Sequence, residues 1–276
     1  MSHPRTAHSQ THVEEPGGLV ASRATSTFDP AIRLLPHDLQ RDARKLYGLL
    51  RTLDDLVDEN DPEATYRVEA VERWTDGHQV DTFETRVLAD LSRRHPVPRE
   101  SVAEFCEGMR LDLAGINLET EADLERYCQC VGGSVGVILT RLFDVSNSAC
   151  ESKMAALGRA VQRTNIVRDI DEDREHGRLY VAHTTIERFG FPSPGTREAL
   201  LRDQIARADA LYEEGLGAIP LLPHGQRGIA LSAALYREIL RQIEREGYGR
   251  RSGRVAVPRW RQRLLTTVHR LKPAYG

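Results

Sequence analysis

An all-α fold is what this sequence predicts, on three observations. Apolar residues recur at three- and four-residue spacing from Pro36 onward. Prolines gather where such stretches end, at Pro62, Pro96, Pro98, Pro192, Pro194, Pro220 and Pro223. Stretches with the alternation of a half-buried strand are scarce. The helices expected, in order, are 38–59, 63–74, 80–94, 99–113, 121–143, 150–175, 194–216 and 226–246, with another beginning near Pro258. Leu46, Leu49, Leu50, Leu53, Leu56 and Val57 give the first a broad apolar face, and Pro62 separates it from the second. Pro96 and Pro98 divide the third from the fourth. The fifth carries Gly132-Gly133-Ser134-Val135-Gly136, small residues that permit a bend or a close backbone approach. Leu157, Val161, Ile166 and Ile170 mark the sixth, and the remaining prolines bracket the seventh and eighth.

Composition narrows the class. The 276 residues are 40% hydrophobic and 29% charged, as in an ordinary soluble globular protein with a real core. Uncharged apolar runs such as Val135 to Thr140 or Ala230 to Tyr236 fall far short of the ~20 residues that cross a bilayer. Residues 1–22 lack the apolar stretch of a secretory signal and read as a disordered tail before a single domain over 23–276, so a cytoplasmic location is expected. A net charge of -3 argues against nucleic-acid binding, which draws its affinity from many basic side chains on phosphates. Cys106, Cys128, Cys130 and Cys150 make no disulfide framework and, without a second Cys/His pair, no zinc site. They read as inert buried thiols.

The C-terminal segment from Tyr248 is basic, with Arg250, Arg251, Arg254, Arg259, Arg261, Arg263, Arg270 and Lys272 and no acidic residue. Two readings stay open, a solvated basic helix or peripheral contact with an anionic membrane surface.

Two segments carry chemistry. At about 100° per residue, Tyr47, Arg51, Asp54 and Asp58 form one stripe on a helix whose other face is apolar. Gln162, Asn165, Asp169 and Asp173 form a second, flanked on both sides by apolar residues. Either stripe alone would suit a salt-bridged surface, but two Asp-x-x-x-Asp helices, each with a polar lead-in, suit the walls of one cavity. Four facing carboxylates repel and need cations. Oxygen ligands suit Mg²⁺, which completes its shell with water and phosphate oxygens, so a phosphorylated substrate is implied. Asp173-x-x-His176 has the spacing of a di-iron motif, but no second copy exists. The Gly132–Gly136 stretch lacks the Lys-Ser/Thr of a phosphate loop. His183, His224 and His269 stand alone and read as structural or surface residues.

At this point the sequence resembles the squalene/phytoene synthase family, the head-to-head branch of the trans-prenyltransferases. The matching pieces are Leu34-Leu35-Pro36, Tyr47 through Glu59, Tyr127-Cys128 with Gly133-Ser134-Val135-Gly136, Gln162 through Asp173, Gly177-Arg178-Leu179-Tyr180 and Arg254-Val255. They occur in family order and span nearly everything after the tail. Class I terpene cyclases share the pattern of Asp54, Asp55 and Asp58, but their second motif ends in a Ser/Thr and Glu triad rather than Asn165, Asp169 and Asp173.

The resemblance implies an isoprenoid-synthase helical bundle around a central apolar cavity. It implies that Asp54, Asp58, Asp169 and Asp173 hold Mg²⁺ on an allylic prenyl diphosphate such as farnesyl or geranylgeranyl diphosphate. Arg51, Arg168 and Arg178 would neutralise the leaving group, and Tyr47, Gln162, Asn165 and Tyr180 would orient the diphosphate or line the cavity. This chain departs from the family pattern at Cys130, where members place a Tyr before Val-Ala-Gly, and at Ala24-Thr25-Ser26-Thr27-Phe28, where they begin His-Ser-Lys/Arg. Arg23 could substitute at the second. These departures keep a runner-up reading open, transfer of the prenyl group to an aromatic small-molecule acceptor. A non-catalytic prenyl-binding protein is a third reading.

Overall fold

The computed structural model describes residues 27–271, so the expected tail over 1–22 and the departure at Ala24 through Ser26 lie outside the described residues. The helices are α1 (Asp29–Ile32), α2 (His37–Asp58), α3 (Ala64–Thr75), α4 (Phe83–Ser92), α5 (Arg99–Leu113), α6 (Glu121–Cys128), α7 (Ser134–Leu142), α8 (Ser148–Glu175), α9 (His183–Phe189), α10 (Glu198–Leu216), α11 (Gln226–Arg245) and α12 (Arg259–Leu271). No strand occurs among the described residues, and none of their helices is long and apolar enough to cross a membrane.

Helix ends follow local chemistry. Thr82 caps α4 by accepting from Thr85 N at 3.3 Å, which sets its start later than periodicity alone predicts. Thr120 and Asp123 form a reciprocal capping box at α6. Asn147 caps α8 by accepting from Ala149 N at 2.9 Å and Cys150 N at 3.2 Å. The seventh expected helix begins at Glu198 rather than Pro194, because Gly195 takes a φ of 85° that no helix continues through. The four-residue α1 and seven-residue α9 are too short for periodicity to mark them.

The helix expected over 121–143 is interrupted by a π-helical turn, Gln129–Gly133. The cause is close packing on α8. A Cβ on Gly132 would overlap the Gly158 carbonyl, one on Gly158 the Gly132 carbonyl, and one on Gly136 the Met154 carbonyl. Backbone therefore meets backbone along this seam, and the extra residue of the π turn keeps the glycines facing it.

The core has two main parts. Leu46, Leu49, Leu53 and Val57 of α2 pack with residues of α3, α4, α5 and α7. Residues of α8, α10 and α11 form the other cluster, with Tyr212 fully buried. Partly buried Leu139 on α7 borders both, while Leu50 and Val135 flank the first and Val161 the second. These partly buried apolar side chains thus lie along the border of the two clusters.

The basic segment divides in two. Residues 247–258 are not a solvated helix but a latch on α8. Arg197 and Asp171 form a bidentate pair, 2.7 Å on each arm, with side chains 2% and 4% exposed. Arg197 also donates to the carbonyls of Gly249 at 3.1 Å and Arg251 at 3.2 Å, and Gly253 N donates to Asp171 at 2.8 Å. Truncating one partner of a buried pair strands the other charge. Asp171→Ala is therefore expected to cost about 3–5 kcal/mol in urea unfolding. Arg197→Met on that background should recover part of it; a loss below about 1 kcal/mol would show the latch to be dispensable.

Candidate active site

The α2 and α8 stripes face each other, and α5 adds a third acid. Gly177, with φ 77°, turns the chain sharply after α8, and Arg178 N donates to the Asp173 carbonyl at 2.9 Å. Arg178 then reaches across to α2, where it pairs with Asp58 and donates to the Val57 carbonyl at 2.8 Å. One guanidinium thus ties the ends of the two acidic helices together.

The carboxylates influence one another's protonation. Burial, then the Asp58 charge, push Asp54 up to about 7, with Arg51 opposing. Burial, then Asp169 and Asp58, push Asp173 up to about 7, with Arg178 opposing. Asp58 on α2 is thus felt by Asp173 on α8. Asp54 still exposes 43% of its side chain. Asp54 is therefore crowded by protein and still reached by water.

Sequence reasoning missed Asp112. It sits at the end of α5, 8% exposed, and accepts from Tyr180 Oη at 2.8 Å and Tyr127 Oη at 3.0 Å. Burial pushes it up to about 6, with these hydrogen bonds and Arg178 opposing and Asp58 adding to the rise. The two rings stack with centroids 5.1 Å apart. Tyr180 therefore lies deep, holding Asp112, rather than at the carboxylate rim. A lone acid between Leu111 and Leu113 was the available signal.

The other predicted residues occupy the same cleft. Arg51 pairs with Asp54 at 3.0 Å and Asp55 at 2.5 Å. Arg168 chelates Asp169 at 2.7 and 2.5 Å and lies by the Tyr236 hydroxyl, which burial keeps far above its ordinary range despite that guanidinium. Arg254, quoted in a motif but given no role, pairs with Asp169 at 3.1 Å and Glu172 at 3.2 Å. Phe28 joins Tyr47 (centroids 5.9 Å apart) to Tyr236 (4.8 Å), forming an aromatic wall. Tyr236 had no sequence signal, since it ends an apolar run.

Donor chemistry decides whether Mg²⁺ suits these residues. Among the described residues no three acids are already gathered around one point, as expected of repelling carboxylates with arginines between them. Every candidate donor is a hard oxygen. The Asp173 carboxylate makes no hydrogen bond or ion pair among the described residues. Asn165 donates to Gln162 at 3.3 Å, but its own Oδ1 is buried without a partner. Unpartnered oxygens on the α8 stripe fit a hard divalent cation.

Cys130 faces away from this cleft. It is fully buried, packs against Gly108 of α5, and has Arg126, Glu107 and Glu104 as its neighbouring charges. Burial pushes its thiol up to about 12, as it does for Cys106 and Cys128. The departure from Tyr there removes no group from the cleft wall.

Comparison with known proteins points one way. A family model described as squalene/phytoene synthase matches residues 21–261. A phytoene synthase of Thermus thermophilus is 35% identical, over 87% of this chain and 86% of its own. A presqualene diphosphate synthase of Zymomonas mobilis is 29% identical, over 92% of this chain and 91% of its own. The crystal structure of a dehydrosqualene synthase in complex with ligand superposes with a TM-score of 0.81 at 26% identity, covering 90% of this chain and 91% of that one.

Proposed function

Since the chain belongs to the squalene/phytoene synthase family and is a prenyltransferase, we propose that it ionises an allylic prenyl diphosphate in the α2–α8 cleft and condenses the cation head-to-head with a second prenyl diphosphate. The observation that supports this reading most directly is Arg178, which follows the end of α8 and spans to the end of α2, where it pairs with Asp58 and donates to the Val57 carbonyl.

Heterolysis of the allylic C–O bond leaves an apolar cation and a diphosphate anion, and the cleft separates groups suited to each. Asp54, Asp58, Asp169 and Asp173, with Asn165, would hold Mg²⁺, which when bound would supply positive charge to the leaving group. Arg51, Arg168 and Arg178 would release their aspartates and donate to diphosphate oxygens, the planar guanidinium being matched to that geometry. Gln162 orients Asn165 through the hydrogen bond between them. The ring faces of Tyr47, Phe28 and Tyr236 would favour the cation. Leu50, Val135, Leu139 and Val161 exclude the water that would quench it. Tyr180 and Tyr127 keep Asp112 hydrogen-bonded beneath the site, so Asp112 serves as a positioning residue.

Transfer to an aromatic acceptor, the other reading, loses one of its two motives, because Cys130 does not face the cleft. The other motive rests on Ala24 through Ser26. Incubation with farnesyl or geranylgeranyl diphosphate and Mg²⁺, followed by lipid extraction, separates the readings. A symmetric C30 or C40 product, or a cyclopropyl diphosphate, is expected. Product that forms only when an aromatic acceptor is added would reverse the order, and no diphosphate release at all would leave a prenyl-binding protein.

A further inference from the structure

The helix α12 has two apolar sides, only one of which is packed. Leu265 and the buried His269 face inward, Leu265 beside Leu231 and Leu235 of α11. Arg261 is held to α11 through Glu238 at 3.3 Å and Gln242 at 3.2 Å. On the outer side Trp260, Leu264, Val268 and Leu271 are 61%, 55%, 41% and 79% exposed. At ~100° per residue these four fall within about 80° of one another, forming a continuous stripe. Arg259, Arg263 and Arg270 run along one edge of it, also within a narrow arc. None of the three makes an ion pair among the described residues, although Arg pairs cover much of the remaining surface. The other exposed large apolar side chains among the described residues, Tyr66, Phe83, Leu111, Phe191 and Leu221, come from separate elements and form no comparable row.

We propose that α12 is a peripheral docking element that lays Trp260, Leu264, Val268 and Leu271 into the interface of an anionic lipid bilayer, with Arg259, Arg263 and Arg270 on the lipid phosphates. An apolar stripe edged by basic residues, on a helix whose opposite side is anchored to the protein, lies in a membrane surface without spanning it. Charge favours lipid over a second copy of this chain. Nothing from Tyr248 onward is acidic, so two α12 helices brought face to face would set unpaired arginine rows near each other, whereas anionic headgroups neutralise them. Trp260, at the start of the helix, suits the headgroup level, where an apolar ring with a polar N–H is favoured. The proposal is independent of the catalytic reading.

Co-sedimentation of the full chain with vesicles tests it, using phosphatidylglycerol–phosphatidylcholine mixtures against pure phosphatidylcholine. Wild-type protein is expected to pellet with the anionic vesicles at low salt and to be released by added salt. Of the two tryptophans, Trp74 is 8% exposed, so a blue shift on binding and quenching by brominated lipid would report Trp260. Leu264→Asp should weaken binding tenfold or more. Joint replacement of Arg259, Arg263 and Arg270 by Gln should weaken it about a hundredfold, at roughly fivefold per charge. Neither set should move the thermal midpoint or diphosphate release in detergent, because these side chains point to solvent. Wild-type protein left in the supernatant with anionic vesicles, or Leu264→Asp binding as well as wild type, would overturn the proposal. Self-association abolished by Leu264→Asp in the absence of lipid binding would assign the stripe to a second copy instead.

Discussion

Asp54→Asn and Asp169→Asn are each expected to lower diphosphate release from an allylic prenyl diphosphate by about a thousandfold or more, the scale seen when a main electrostatic contribution to a transition state is lost. Each change removes one negative charge from the cation-holding set while keeping size and hydrogen-bonding shape. The Asp54 change carries a second, opposite expectation. Its carboxyl is pushed up to about 7 by burial and by Asp58, so ionising it costs the folded state free energy. Without metal at pH 8, Asp54→Asn should therefore unfold at the same temperature as wild type or higher. Loss of turnover with retained or increased stability is what a functional acid produces, and a merely structural one would lose both. A double variant with near-wild-type turnover would rule out this metal assignment.

The second large effect is a pH-dependent response to Mg²⁺. Asp54 and Asp173 keep their protons to about pH 7 when folded, against an ordinary value of 3.8. Between those limits the folded state binds more protons than the unfolded one, so stability falls as pH rises through the window and is lowest above it. Solvent reaches Asp54, and screening there keeps the drop to about 1–2 kcal/mol for the pair. Cation binding needs the ionised carboxylates, so its benefit runs the other way. At a concentration about a hundredfold above its dissociation constant, Mg²⁺ adds ~2.7 kcal/mol to the state that binds it. The thermal midpoint should therefore rise by several degrees with Mg²⁺ at pH 8 and scarcely move at pH 5. An equal shift at both values, or a larger one at pH 5, would contradict the roles given to Asp54 and Asp173.

What the sequence revealed and what it hid divide along physical lines. The stripes of α2 and α8 were legible because a helix repeats every few residues, so Asp54 with Asp58 and Asp169 with Asp173 declare a shared face before any fold is known. The roles expected of Arg51, Arg168 and Arg178 came from the family resemblance rather than from helix periodicity. Asp112 and Tyr236 were hidden because each is a lone polar side chain on an otherwise apolar face, and only tertiary packing brings them to the cleft. Arg254 was hidden differently. Its neighbours read as one basic run, whereas the Arg197–Asp171 pair bends residues 247–258 onto α8 and leaves the rest to form α12. Long-range ion pairs leave no periodic trace. Gly132 and Gly136 hinted at a close approach, but the π turn that accommodates it depends on where Gly158 sits.

The glycine seam between the π turn and α8 also bears on attempts to retailor the product. With each carbonyl already set against the other residue's Cα where Gly132 meets Gly158, neither helix can be drawn closer, and any side chain added there would wedge them apart. That seam fixes the spacing of the π turn and α8. On the proposed reading, room for a longer or shorter prenyl tail comes from trimming or enlarging side chains, Leu50, Val135 and Leu139 first among them, rather than from the spacing of these helices.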